Sequence, residues 1–184
     1  MKTLKEIYEH HDFNFPEGHG DKGTCHSYID EYERLLLPYR SNSTILEIGV
    51  YHGLSIRMWK EYFINSTIVG VDIQDYDSKI EQLRNDGFDI ILHDATKESF
   101  LEEIKNYEFD VVIDDGSHWL EDQIATFKLL KPKMKKDSIY VIEDIVTDLN
   151  HFLNEFNKLH DNIEVIDLRH VKNRFDDILV IFRF

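Results

Sequence analysis

The chain has 184 residues, 42% hydrophobic and 12% aromatic, which is the size and composition of one folded domain rather than a disordered tail. Its 36 acidic residues against 21 basic ones leave a formal net charge of -15, which repels phosphate backbones and argues against a nucleic-acid partner. A single cysteine, Cys25, cannot make an internal disulfide, and no apolar run approaches the ~18 residues that a membrane span needs.

The first eleven residues are polar, of mixed charge and without the apolar core of a signal peptide, so a cytoplasmic protein is expected. Residues 1–12 carry Leu4, Ile7 and Tyr8 at helical spacing. Residues 13–24, with Pro16, Gly18, Gly20 and Gly23, read as a loop. From Cys25 to Leu37, Tyr28, Ile29, Tyr32, Leu35 and Leu36 recur at three- and four-residue steps, an amphipathic helix stopped near Pro38. Apolar runs of strand length follow at 44–49, 67–73, 89–93, 109–114 and 138–143. Helical patterns lie between them at 54–62, 76–86, 97–107 and 120–130. Strand and helix in alternation predict an α/β fold, and strands apolar nearly throughout predict helices on both faces of a parallel sheet. The lysines at 128, 131, 133, 135 and 136 read as a solvated helix end. A helix at 149–159 then precedes two runs, 163–169 and 177–184, only about seven residues apart. A parallel crossover needs ~10–12 residues, so these two form an antiparallel hairpin, and a mostly parallel sheet with one antiparallel strand at its end follows. The expected architecture is a Rossmann-like, doubly wound, mostly parallel seven-stranded sheet with a C-terminal antiparallel hairpin. Residues 1–40 supply N-terminal helices and a covering segment, and 41–184 form the main body of what is one structural domain.

Chemistry-bearing residues gather where the predicted strands end. The first ends in Glu47-Ile48-Gly49-Val50-Tyr51-His52-Gly53-Leu54-Ser55. Glycines at such a turn let backbone approach a ligand closely. The spacing is neither that of a dinucleotide fingerprint nor that of a Walker loop, and Glu47 suits a cationic or amine-bearing ligand. Asp72 ends the second strand, where an acid partners ribose hydroxyls or caps a helix. Asp94 follows the third, placed to accept from an exocyclic amine or to act as an N-cap.

The fourth strand ends in Asp114-Asp115-Gly116-Ser117-His118 and the fifth in Glu143-Asp144. Two parallel strands that each deliver paired carboxylates to one sheet edge can build a site for a hard divalent cation, Mg²⁺, Ca²⁺ or Mn²⁺ rather than Zn²⁺. Gly116 permits the backbone to turn, so one acid of the pair reaches a cation while the other faces a ligand or caps the next helix. Imidazole changes charge near neutrality, so His118 is suited to deprotonate a hydroxyl that a cation has acidified.

Acids at three consecutive strand ends behind a glycine turn resemble the class I S-adenosylmethionine-dependent methyltransferases. The full string Val-Ile-Asp-Asp-Gly-Ser-His with Gln123, Phe127 and Tyr-Val-Ile-Glu-Asp is similar to the macrocin O-methyltransferase group of metal-dependent sugar O-methyltransferases. Asp21-Lys22-Gly23-Thr24-Cys25-His26-Ser27-Tyr28, Met58-Trp59 and Tyr62-Phe63 extend the likeness over residues 21–147. The resemblance implies an S-adenosylmethionine site at Glu47, Gly49, Gly53, Ser55, Asp72 and Asp94, with Asp114 facing it and Lys22, Thr24 and Tyr28 in contact. It implies a divalent cation, Mg²⁺ by preference, held by Asp115, Glu143 and Asp144, with His118 as the base. The acceptor would be a hydroxyl of a sugar, glycan precursor or glycosylated natural product. The alternatives are an aromatic diol, as in catechol methylation, or a binding module without turnover in a biosynthetic complex. The chain departs from the group at Lys135-Lys136-Asp137-Ser138, where relatives often carry Lys-Pro-Gly-Gly. It also lacks their substrate-capping segments, which leaves the acceptor pocket open or completed by another subunit of a homo-oligomer.

Overall fold

The computed structural model describes residues 2–10 and 20–184. Most of the predicted loop at 13–24, through residue 19, lies outside them. Seven strands form one sheet: β1 (Thr44–Ile48), β2 (Thr67–Asp72), β3 (Asp89–Leu92), β4 (Phe109–Asp114), β5 (Met134–Ile142), β6 (Ile163–Asp167) and β7 (Ile178–Arg183). The helices are α1 (Leu4–His10), α2 (Ile29–Leu36), α3 (Leu54–Tyr62), α4 (Lys79–Asn85), α5 (Phe100–Glu103), α6 (Leu120–Leu130), α7 (Leu149–Phe156) and α8 (Arg169–Lys172). The sheet order is β3-β2-β1-β4-β5-β7-β6. Every pairing from β3 to β5 is parallel, and β7 runs antiparallel to both β5 and β6.

The unbroken apolar strands are explained by two cores. Side chains alternate across a strand, so Ile45, Val111, Ile113, Ile139 and Val141 pack under α1–α4, while Leu46, Val112, Tyr140 and Ile142 pack under α5–α7. Leu4 and Ile7 of α1 join the first core together with Ile29, Tyr32, Leu35 and Leu36 of α2. Phe127 of α6 anchors the second, with ring centroids 4.6 Å from Phe182, 5.1 Å from Tyr140 and 5.4 Å from Phe156. Asp148 caps α7, accepting from the His151 backbone at 3.0 Å, the local interaction that starts this helix.

Sequence periodicity and structure differ in five places, each with a local cause. The helix predicted from Cys25 begins at Ile29, because residues 21–25 wind into turns instead. Left-handed backbone at Asp77 and Ser78 delays α4 to Lys79. Around α5 the chain makes i→i−3 turns, such as Lys97 to Asp94 and Leu101 to Glu98, leaving one turn of α-helix where eleven residues were expected. Strand β5 starts at Met134, since the polar Lys135–Asp137 stretch passes through an irregularity in the β4–β5 register. The antiparallel strand is not at the sheet's end: β7 inserts between β5 and β6, and the connection to it contains α8.

Candidate active site at the strand ends

Parallel pairing carries the ends of β1, β2, β3 and β4 to one edge, where they line a cavity of about 540 Å³. Gly49 has φ +86°, and a β-carbon there would overlap the carbonyl oxygen of Asp115. Its amide binds the Val71 carbonyl at 2.9 Å while Asp115 N binds Ile48 O at 2.9 Å, so the glycine is what allows β1, β2 and β4 to converge at the cavity floor. Gly53, φ +81°, opens α3 against Leu83.

Of the residues singled out in sequence, Gly49, Gly53, Ser55, Asp72, Asp94, Asp114, Asp115, His118 and Lys22 line this cavity. Asp72 shapes its rim by accepting from the backbone of Tyr51 at 2.8 Å and of Gln74 at 3.0 Å. Asp94 accepts from Thr96 N at 2.9 Å and Thr96 Oγ1 at 2.6 Å. Burial would raise its pKa, but these bonds and Lys97 hold it below the usual carboxylate range. Asp114 accepts from Tyr140 Oη at 2.8 Å, and burial lifts it to about 7 despite that bond. His118 has φ +60°, and its Nδ1 is buried without a hydrogen-bond partner among the described residues.

Glu47, Thr24, Tyr28, Glu143 and Asp144 do not line the cavity. Glu47 faces the α2–α3 side of the sheet, fully buried. It accepts from Trp59 Nε1 at 2.9 Å and is raised to about 7 by burial, with Lys22 and Trp59 offsetting part of the cost. Thr24 Oγ1 donates to the Gly20 carbonyl at 2.7 Å, a local turn bond. Tyr28 Oη donates to Asp144 Oδ1 at 2.7 Å and Tyr32 Oη to Glu143 Oε1 at 2.6 Å.

Asp115, Asp144 and His118 each present a ligand atom, all within 4.8 Å of one another, and Asp21, His26 and Asp144 form a second such group. Lys22 Nζ lies 2.6 Å from Asp115 Oδ2, 2.6 Å from Glu143 Oε1 and 4.0 Å from Glu47 Oε1. Burial alone would lower its pKa; the acids outweigh that and hold it well above the ordinary lysine value. Burial, then the neighbouring Asp115, pushes Asp144 up to about 8 and Glu143 well above the carboxylate range. One ammonium does not neutralise this many acids, and the donor set is one a hard divalent cation fits. The sequence reading missed Tyr32, Tyr140 and Trp59 as partners of these acids. Tyr28 and Tyr32, four residues apart and carrying hydroxyls into a buried helix face, were the available signal.

Comparison with known proteins agrees with this geometry. Residues 46–145, more than half of the chain, match the family model described as a methyltransferase domain. An 8-demethyl-8-alpha-L-rhamnosyl tetracenomycin-C 2'-O-methyltransferase from Streptomyces olivaceus is 34% identical over 140 residues, 70% of this chain and 36% of that protein. A mycinamicin VI 2''-O-methyltransferase from Micromonospora griseorubida is 37% identical over 135 residues, 68% of this chain and 33% of that protein. The chain thus spans about a third of the length of these relatives. Among solved structures, MycE methyltransferase from the mycinamycin biosynthetic pathway, in complex with Mg and SAH, superposes over 99% of this chain and 55% of its own, with a TM-score of 0.70 and 25% identity. The chain belongs to the methyltransferase-domain family.

Proposed function

We propose that the chain is an S-adenosylmethionine-dependent, divalent-cation-assisted O-methyltransferase acting on a hydroxyl of a sugar, glycan precursor or glycosylated natural product. The observation that carries this reading is the placement, on one sheet edge, of an acid-rimmed cavity beside the Asp115–Asp144–His118 group. About 540 Å³ falls within the range of small-molecule and cofactor pockets. The named relatives include a rhamnosyl tetracenomycin-C 2'-O-methyltransferase, a demethylmacrocin O-methyltransferase and a mycinamicin VI 2''-O-methyltransferase, which supports the acceptor class. No described helix is long and apolar enough to cross a membrane.

When bound, S-adenosylmethionine supplies the methyl group on a sulfonium, and a divalent cation supplies Lewis acidity to the acceptor hydroxyl. The chain's own residues do the rest. The Gly49 turn admits backbone close to the donor, and the net negative wall suits its positive charge. Asp72 and Asp94 would hold the ribose and the adenine, each with lone pairs beyond those spent on the chain. Asp115, Glu143 and Asp144 would hold the cation. His118 would take the hydroxyl proton, leaving the acceptor oxygen an alkoxide rather than an alcohol, and the methyl would pass to it with S-adenosylhomocysteine as the leaving group. Holding donor and acceptor in line contributes through orientation and charge placement.

The test is transfer of labelled methyl from S-adenosylmethionine to a panel of sugars, glycosides and catechols with Mg²⁺. His118→Ala is expected to lower transfer by about 10²–10⁴-fold, the usual worth of a positioned base. Equal transfer by the variant would remove His118 from that role, and exclusive transfer to catechols would move the acceptor class.

A further inference from the structure

The segment from Gly20 to Tyr32 touches every acid proposed as a cation ligand, and it does so in one pattern. Lys22 Nζ binds Asp115 Oδ2 and Glu143 Oε1, each at 2.6 Å. Tyr32 Oη binds the same Glu143 Oε1 at 2.6 Å, and Tyr28 Oη binds Asp144 Oδ1 at 2.7 Å. Each of the three acids is therefore gripped through one oxygen. Asp115 Oδ1, Glu143 Oε2 and Asp144 Oδ2 carry none of these bonds.

Chain geometry makes the grip firm. Lys22, Tyr28 and Tyr32 are 3%, 0% and 0% exposed, so none of the three can swing into solvent. His26, stacked on Tyr28 at 4.8 Å between ring centroids, places Nδ1 3.2 Å from the same Asp144 Oδ1. Lys22 also lies 4.0 Å from Glu47, so a single ammonium links the ends of β1, β4 and β5.

We propose that Lys22, Tyr28 and Tyr32 are positioning residues for cation binding: they hold one oxygen each of Asp115, Glu143 and Asp144 and leave the opposite oxygens to a cation, Asp115 and Asp144 already presenting ligand atoms within 4.8 Å of each other. This rests on the proposed cation-assisted reaction and adds to it a role for Lys22 and Tyr28, which the sequence reading placed against the methyl donor, and for Tyr32, which it read as helix core. A carboxylate turned by an outer partner loses no rotational freedom on binding, and partners of this kind typically set metal affinity by about 10–100-fold.

Mn²⁺ is titrated calorimetrically into the full chain saturated with S-adenosylhomocysteine, for the wild type, Lys22→Met, Lys22→Arg, Tyr28→Phe and Tyr32→Phe. Lys22→Met, Tyr28→Phe and Tyr32→Phe are expected to weaken Mn²⁺ binding by about 10–100-fold, and the two tyrosine variants, whose side chains do not line the cavity, to leave S-adenosylhomocysteine affinity without metal unchanged within about twofold. Lys22→Arg is expected to recover part of the loss. Should Lys22→Met fail to fold, the two tyrosine variants, each short of one hydroxyl, decide the matter. Wild-type or tighter Mn²⁺ affinity in the folded variants overturns the positioning role alone. A wild type that binds S-adenosylhomocysteine but no Mn²⁺ overturns both this role and the cation-assisted reaction.

Discussion

At Gly49 the constraint is steric as well as conformational. A β-carbon there would press on the Asp115 carbonyl at the point where β1 and β4 converge, and its φ of +86° excludes most side chains. Gly87 offers a matched control, with φ +85° and nothing within 4 Å of the missing β-carbon. Gly87→Ala is expected to cost only the left-handed penalty, ~1–2 kcal/mol, and to leave S-adenosylhomocysteine binding unchanged. Gly49→Ala is expected to weaken that binding tenfold or more, ~1.4 kcal/mol at least. Similar binding by both variants would refute the convergence argument. The glycine and the acids around it were readable because their types and spacing are distinctive. The partners of those acids were not. Tyr140 and Trp59 sit in runs that also read as plain core, and nothing in a one-dimensional pattern says that Tyr140 reaches Asp114 or that Trp59 reaches Glu47.

Among elements, α6 shows how a helix behind the sheet maintains the edge in front of it. It begins two residues after His118 and runs back along the sheet, with Phe127 fully buried among β5, β7 and α7. Phe127→Ala is expected to cost ~3–5 kcal/mol, read as a lower denaturant midpoint at unchanged m. A loss below ~1 kcal/mol would mean that the second core collapses readily around the gap. The boundaries of α6 and α3 match the apolar periodicity to the residue, because each buries a continuous stripe. α5 and the start of β5 do not. There the winning interactions are short turns and a register irregularity, which leave no periodic trace.

For the molecule as a whole, the acid cluster governs how stability follows pH. Burial raises Glu47 and Asp114 to about 7 and Asp144 to about 8, so the folded chain keeps protons that the unfolded chain has released. Stability from these groups is complete below their unfolded pKa values and is lost as pH climbs through about 8. His26, lowered by burial and by Arg174, works in the opposite sense, its stability being lost as pH falls below the ordinary imidazole range. Four raised acids, Glu143 among them, against one histidine set the sign: the metal-free melting temperature is expected to fall between about pH 5 and about pH 8. Mg²⁺ competes with those protons, so its stabilising effect should grow over the same interval. A Mg²⁺-induced shift that is flat with pH would separate the cation from these carboxylates.

The position of β7 has a consequence for how the chain is made. β6 precedes it in sequence, yet among the described residues its only sheet neighbour is β7, and β7 in turn is the neighbour that covers β5. On the ribosome, β6 emerges before the strand it needs, and β5, one strand's width away, waits with its outer row of amides and carbonyls unpaired. Nascent chains stalled anywhere between Ile163 and Ile178 would therefore present two open edges at once. The moment of greatest exposure to other chains is the last step of sheet assembly, not the first.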